Sequence, residues 1–314
     1  MKPKSFFLMI LVDGIGLAPR GSGDPVKSCV PWLEDLGQEA VAPLPAGGWA
    51  ASTSAHLGVQ GLPQSATGHT TLLTGINAAR VMGRHVPGFP TPTLRRIIQA
   101  HNLLGELEER GFRAEYLNAF APMHPAVLKR GLKSAASLAT LATGKPLRSV
   151  QDICDGKALH HEFTNRILVL RGMNLPRWTP KQAGRILART AMESDMAFFE
   201  YFLTDLAGHA RDLQEACFQM RRIRSFLEGV LEEAHLDSGH VLVCSDHGNL
   251  EDLSVRTHTR NPVPTMVWGP QAQRLALEVK SIEQIAPLVM ETLAGRQEGV
   301  PPRESKEKKL EAAN

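Results

Sequence analysis

In Ser245-Asp-His-Gly-Asn-Leu-Glu-Asp252 two metal-ligand side chains, Asp246 and His247, stand side by side, and His258 follows eleven residues later in Thr257-His-Thr-Arg-Asn-Pro-Val-Pro264. The apolar run Val241–Cys244 precedes them. Both therefore emerge where a buried strand meets its loop, the usual place for chemistry in a parallel α/β sheet. Neighbours on an extended backbone point in opposite directions, so Asp246 and His247 cannot easily grip one ion together. They can reach two ions on either side of the chain.

Three other stretches carry similar chemistry. Asp13 ends the first apolar run, in Asp13-Gly-Ile-Gly16, and Ser65 opens Ser65-Ala-Thr-Gly-His-Thr-Thr-Leu-Leu-Thr-Gly75. Asp205 and His209 are spaced i,i+4, which on a helix puts them on one face about one turn apart. Singly, each has a plain structural reading: an Asp after a strand is most often a helix cap, and a surface His is usually only that. Together, Asp13, Ser65, Asp205, His209, Asp246, His247 and His258 converge on one edge of a parallel sheet. Such a set repels or desolvates itself unless cations neutralise it, and two divalent metals are the natural solution. Mixed Asp and His ligands suit zinc or manganese, with iron possible.

The chain that must position these residues has 314 residues, 43% of them hydrophobic, enough for one large α/β domain or one domain with a modest insertion. Its net charge of +3 is small, and no Lys/Arg cluster is interleaved with aromatics. A nucleic-acid surface is unsupported and a small-molecule substrate is expected. The N-terminal apolar run is short and lacks an Ala-x-Ala site, so it reads as a buried strand rather than a signal peptide. No segment approaches the ~20 apolar residues of a membrane span. Cys29, Cys154, Cys217 and Cys244 are scattered without a CxxC, which points to a reduced, cytoplasmic protein.

Along the chain, Leu17 to Trp49 is Gly- and Pro-rich and reads as a long surface excursion. A helix is expected from Ser65 to Gly75, an amphipathic helix from Leu94 to Arg110, and a strand over Arg113 to Phe120. Residues 121–180 read as a small cap or connection, with helices near Lys133–Leu141 and Gln151–His161. His124, His160, His161, Arg148 and Arg177 there are possible substrate contacts, though surface polarity is the commoner explanation. Helices over Lys181–Glu193 and up to Ala234, strands at Met196–Leu203, Val241 and Val263–Trp268, and a capped final helix after Ser281 complete a βαβ rhythm. Residues 1–295 form one catalytic domain in this reading, and 296–314 a disordered charged tail.

Asp13-Gly, Ser65-x-x-Gly68-His69, Asp205-x-x-Gly208-His209, Ser245-Asp-His-Gly-Asn249 and His258-Thr-x-Asn-Pro-Val-Pro264 together resemble the alkaline phosphatase superfamily, in its branch of cofactor-independent phosphoglycerate mutase and phosphopentomutase. The motifs run from residue 13 to 264 in the family's order. The resemblance implies an α/β fold with a mostly parallel sheet flanked by helices on both faces and a small cap or insertion. It implies that Asp13, Ser65, Asp246 and His247 surround one metal, and Asp205, His209 and His258 the other. Ser65 is then the nucleophile, transiently phosphorylated; Thr67 and Thr70 compete, but the spacing to Gly68-His69 favours Ser65. Physically this is sound, because coordination to a cation lowers the pKa of a serine hydroxyl and a helix start can hold phosphoryl oxygens. Arg80 and Arg84, downstream of that helix, either add positive charge for a phosphate substrate or are solvated helix-end cations.

The mutases of that branch carry a large second domain between the nucleophile and the Asp-x-x-x-His segment. Here about 140 residues separate Ser65 from Asp205, too few for such a cap in addition to core elements. Poor exclusion of water favours hydrolysis of a phosphoenzyme. The expected activity is a binuclear-metal phosphomonoesterase acting on a small phosphorylated metabolite. A phosphomutase or phosphotransferase with a reduced cap, and a non-catalytic metal-binding protein, are the alternatives.

Overall fold

The computed structural model describes residues 5–18, 24–30, 40–121 and 133–295. His124 and the segment from residue 296 onward lie outside the described residues.

The strands in chain order are β1 (Phe7–Val12), β2 (Val41–Leu44), β3 (Gly48–Thr53), β4 (Ala114–Tyr116), β5 (Met196–Tyr201), β6 (His240–Cys244) and β7 (Val263–Trp268). They form one sheet in the order β2-β3-β7-β6-β1-β5-β4. β1 lies in its middle, and all six of its residues, Phe-Leu-Met-Ile-Leu-Val, are buried, as a strand covered on both faces requires. It pairs in parallel with β5 and with β6, and β4 adds in parallel beyond β5. β6–β7, β7–β3 and β3–β2 pair antiparallel, so β2 and β7 run against the other five strands. The sheet is thus mixed, with its parallel part around β1.

Side chains alternate between two cores. Leu8, Ile10 and Val12 face the helices Pro180–Met192 and Leu213–Glu233. Phe7, Met9 and Leu11 face the layer that includes Ser65–Thr74, Pro92–Ala100, Leu103–Glu109 and Ile285–Ala294.

Several local expectations need correction. The stretch Leu17–Trp49 is not all surface excursion: its described part holds a helix, Pro25–Cys29, and β2 runs into β3 through a turn at Pro45–Gly47. Ala and Pro within these strands hid their alternation. The helix expected over Leu94–Arg110 is two helices, because buried Asn102 stops one and starts the other, its Nδ2 donating to Ile98 O (2.9 Å) and its Oδ1 accepting from Gly105 N (2.8 Å). Of Gln151–His161 only the first four residues are helical, in a helix Val150–Cys154, and a further helix lies at Ala272–Glu278. Residues 121–180 divide: Ala135–Ala142 joins the main core, whereas the segment around Ile153, Ala158, Leu168 and Leu175 has its own small apolar cluster. Bridges at Asn118–Leu159 and Ala119–Arg148 and the buried Glu162–Arg222 ion pair fasten that segment beside β4 and β5. Among the described residues no helix is long and apolar enough to cross a membrane.

Pro180–Met192 and Leu213–Glu233 touch backbone to backbone: a Cβ at Gly184 would lie 2.0 Å from Phe226 O, and one at Gly229 would lie 2.1 Å from Lys181 O. Gly184→Ala must push the helices apart, and we expect a loss of about 1–3 kcal/mol in urea unfolding, the usual cost of overpacking. An unchanged midpoint would refute the close crossing.

Candidate metal centre

The centre lies at the carboxyl ends of β1, β5 and β6, where Asp13, the helix Leu203–Ala210 and the loop after Cys244 follow directly. The helix Ser65–Thr74 approaches from the opposite layer and brings Ser65 Oγ to 2.9 Å from His247 Nε2. His247 Nε2 also lies 3.3 Å from Asp13 Oδ1 and 3.2 Å from Asp246 Oδ2. Asp205 Oδ2 lies 3.3 Å from His209 Nε2, and Asp205 Oδ1 lies 3.6 Å from His258 Nε2. Donor atoms of Asp13, Asp246 and His247 fall within 4.8 Å of one another, as do those of Asp205, His247 and His258. His247 therefore adjoins both groups, and its ring stacks on His258 at 3.6 Å.

The surroundings prepare these atoms for a cation. His258 Nδ1 donates to Pro63 O (2.8 Å) and His209 Nδ1 to Arg256 O (3.1 Å). Each bond leaves the Nε2 of that ring as a lone pair. Those two Nε2 atoms face each other at 3.2 Å, which neutral acceptors tolerate only with something positive between them. Asp13 Oδ1, Asp246 Oδ2 and His247 Nδ1 are buried without a hydrogen-bond partner in the described structure. Unpaired buried carboxylate oxygens are costly, so this donor set fits divalent ions. Burial, reinforced by the charge of Asp246, raises the pKa of Asp13. Burial lowers that of His247 to about 4 against the opposing pull of Asp13, which keeps the ring neutral and its nitrogens available.

Glycines set the approach of both helices. A Cβ at Gly68 would lie 2.9 Å from Asp246 Cβ, and one at Gly208 would lie 2.6 Å from the Asn249 side chain. Asn249 Nδ2 in turn donates to Asp205 Oδ1 (2.6 Å). The loops are gathered by Glu251, buried to 2% exposure, whose carboxylate accepts from Gly16 N (3.0 Å), Asn249 N (2.8 Å), Asn261 Nδ2 (3.0 Å) and the Thr259 hydroxyl.

The seven side chains expected as ligands thus meet in one place. Arg80 and Arg84 do not join them: both are exposed, Arg80 in the helix Ala78–Met82 and Arg84 just past it, and neither guanidinium pairs with a described carboxylate. Arg148 is occupied by Glu115 (3.0 Å), Arg177 is exposed, and His161 packs tilted against His160 and stacks on Phe202. Sequence reasoning assigned no role to His69, Asn249 or Glu251. The repeat x-x-Gly-His at Ser65 and at Asp205 is the signal that pointed to His69; nothing marked Glu251 among the exposed-looking acids.

The profile of the family described as "Metalloenzyme superfamily" matches residues 5–296. Among curated proteins, the chain is similar to the 2,3-bisphosphoglycerate-independent phosphoglycerate mutase of Desulforudis audaxviator, 30% identical over 105 residues, which is 32% of this chain and 21% of that protein. The enzyme of the same name from Haloquadratum walsbyi is 28% identical over 132 residues, 38% of this chain and 26% of that protein. The matched stretches thus span about a fifth to a quarter of the length of these relatives. In fold, the chain is similar to the PH0037 protein from Pyrococcus horikoshii (TM-score 0.53, 14% identity, 96% of this chain and 100% of that one). The alkaline phosphatase of the Antarctic bacterium TAB5 is also similar (TM-score 0.50, 12% identity, 93% and 99%). A profile match over nearly all the described residues, on an alkaline phosphatase-like fold, makes this chain a member of the metalloenzyme superfamily.

Proposed function

We propose that the chain is a binuclear metal-dependent phosphomonoesterase that acts on a small phosphorylated metabolite through a phosphorylated Ser65. The observation that carries this reading is the placement of the Ser65 hydroxyl, at the first residue of a ten-residue helix and 2.9 Å from His247 Nε2. Asp13, Ser65, Asp246 and His247 would hold one zinc or manganese ion, and Asp205, His209 and His258 the second. When bound, such ions polarise phosphoryl oxygens and lower the pKa of a coordinated hydroxyl or water.

The rest of the reaction falls to the chain's own groups. Ser65 Oγ, its proton lost to solvent, attacks phosphorus while the bond to the alcohol oxygen breaks on the far side, and the leaving oxygen takes up a proton from water, which gives phosphoserine and the free alcohol. The first bond of this helix runs from Gly68 N to Gln64 O, so the N–H groups of Ser65, Ala66 and Thr67 have no intrahelical partner and are suited to hold the transferring oxygens. Water entering opposite Ser65 Oγ then releases phosphate and restores the hydroxyl. His209, whose side chain is 42% exposed, marks the side open to that water. Arg80 and Arg84, exposed and without a carboxylate partner among the described residues, are proposed to meet a further anionic group of the substrate.

The names of the curated relatives favour a second reading, in which phosphoserine returns its phosphoryl group to another hydroxyl of the substrate. A non-catalytic metal-binding protein is the third, and the retained serine argues against it.

Wild type and Ser65→Ala, assayed on a chromogenic phosphate ester with zinc or manganese supplied, are expected to differ by about 10³-fold or more, as for loss of other enzymic nucleophiles. Mass spectrometry should find the phosphoryl group on Ser65. Equal turnover by both proteins would falsify the phosphoserine route, and phosphate release slower than transfer to an added alcohol would favour the mutase reading.

Because Asp13 holds its proton above the usual carboxylate range, protons compete with metal at milder acidity than an ordinary Asp permits. Calorimetric titration of chelator-treated protein should show metal affinity falling steadily from neutral to mildly acid buffers. A flat profile would show that neither Asp13 nor the histidines bind the metal.

A further inference from the structure

His69 belongs to neither ligand group, yet it is wedged between two of the carboxylates. Its Nε2 lies 3.2 Å from Asp13 Oδ2 and 3.1 Å from Asp246 Oδ2, with its side chain 13% exposed. We infer that His69 is a positioning residue: it fixes the Asp13 and Asp246 carboxylates and sets the nucleophile helix in register with the metal they would bind. This assignment rests on the two-metal reading.

The two oxygens of Asp13 are divided. Oδ1 faces His247 Nε2 at 3.3 Å, while Oδ2 is turned to His69. The imidazole of His69 therefore occupies the side of Asp13 away from His247, where it orients the carboxylate rather than completing the donor set. Asp246 is held differently: its Oδ2 touches both histidine rings at 3.1 and 3.2 Å, while its Oδ1 accepts from Gly14 N (3.4 Å).

Ser65 and His69 are i,i+4 on one helix, so their side chains share a face one turn apart. Ser65 reaches His247 and His69 reaches the two aspartates, which gives the helix two contacts with the centre, one turn apart. Gly68 makes this possible, because a Cβ there would lie 2.9 Å from Asp246 Cβ and 3.2 Å from Asp246 O. The helix Leu203–Ala210 is held by the same logic: Gly208 admits Asn249, whose amide holds Asp205. His69 does for the inner carboxylates what Asn249 does for the outer one.

The test is a calorimetric titration of chelator-treated full-length protein with Mn²⁺ or Zn²⁺, on wild type, His69→Leu, His69→Asn and His69→Gln. The Gln amide nitrogen can stand in for Nε2, whereas Asn is one methylene too short to reach. His69→Leu and His69→Asn should weaken one of two sites by about 10–100-fold, the usual cost of losing a group that orients a metal ligand, and leave the other unchanged. His69→Gln should stay within about threefold of wild type, and His69→Leu added to Asp13→Asn should cost less than it does in wild type, because part of its effect passes through Asp13 and the two act on one site. The assignment is overturned if both sites are unchanged in His69→Leu and His69→Asn, or if His69→Gln is as weak as they are. A wild-type protein that takes up no divalent ion would sink the two-metal reading itself, and the role of His69 with it.

Discussion

Atoms that repel one another are held about 3 Å apart at the carboxyl edge of the sheet, and the surrounding structure is arranged to keep them there. Asp13 and Asp246 converge on His247, and the Nε2 lone pairs of His209 and His258 point at each other. In water these groups would turn away from one another. Here each is tethered from behind: Thr204 Oγ1 donates to Asp13 O (2.6 Å), Asn249 grips Asp205, and Pro63 O and Arg256 O take the far nitrogens of His258 and His209. A centre built this way is preorganised for cations, since the cost of assembling like charges is met by folding rather than by binding.

The two helices that deliver Ser65 and Asp205 come from different layers, yet they use the same device. In each, a ligand-type residue is followed three residues later by glycine and four residues later by histidine. The glycine removes the side chain that would separate helix from loop, and the histidine lands one turn below the first residue. Glu251 complements this from the opposite direction, gathering backbone and side-chain donors at Gly16, Asn249, Thr259 and Asn261 on one buried carboxylate. The β1 loop and the loop after β6 are thereby one unit, so Asp13 and Asp246 cannot move independently.

Much of this was legible in the sequence because the site sits at strand ends, where an apolar run stops abruptly at a polar residue. Val12-Asp13 and Cys244-Ser245-Asp246 announce themselves in that way. The hairpin β2–β3 did not, because Ala and Pro carry little alternation and the strands are defined by pairing with β7, far away in the chain. The break at Asn102 was hidden for a related reason: an Asn within an amphipathic pattern looks like part of the polar face until its burial is known. His69 and Glu251 are invisible to strand-end logic, since one lies inside a helix and the other inside a loop, and both act through partners distant in the sequence.

The antiparallel turn-back of the chain from β6 into β7 has a further consequence. Asp246, His247 and His258 all lie on the connection between these strands, which are hydrogen-bonded neighbours, from Val241 beside Trp268 to Val243 beside Met266. Both ends of the segment are therefore pinned to the same few ladder bonds. A slip of one residue there would exchange the strands' side chains between the two buried cores and carry three of the seven residues of the centre out of alignment at a stroke. Assembly of the centre and correct pairing of this hairpin are, for that reason, a single folding event.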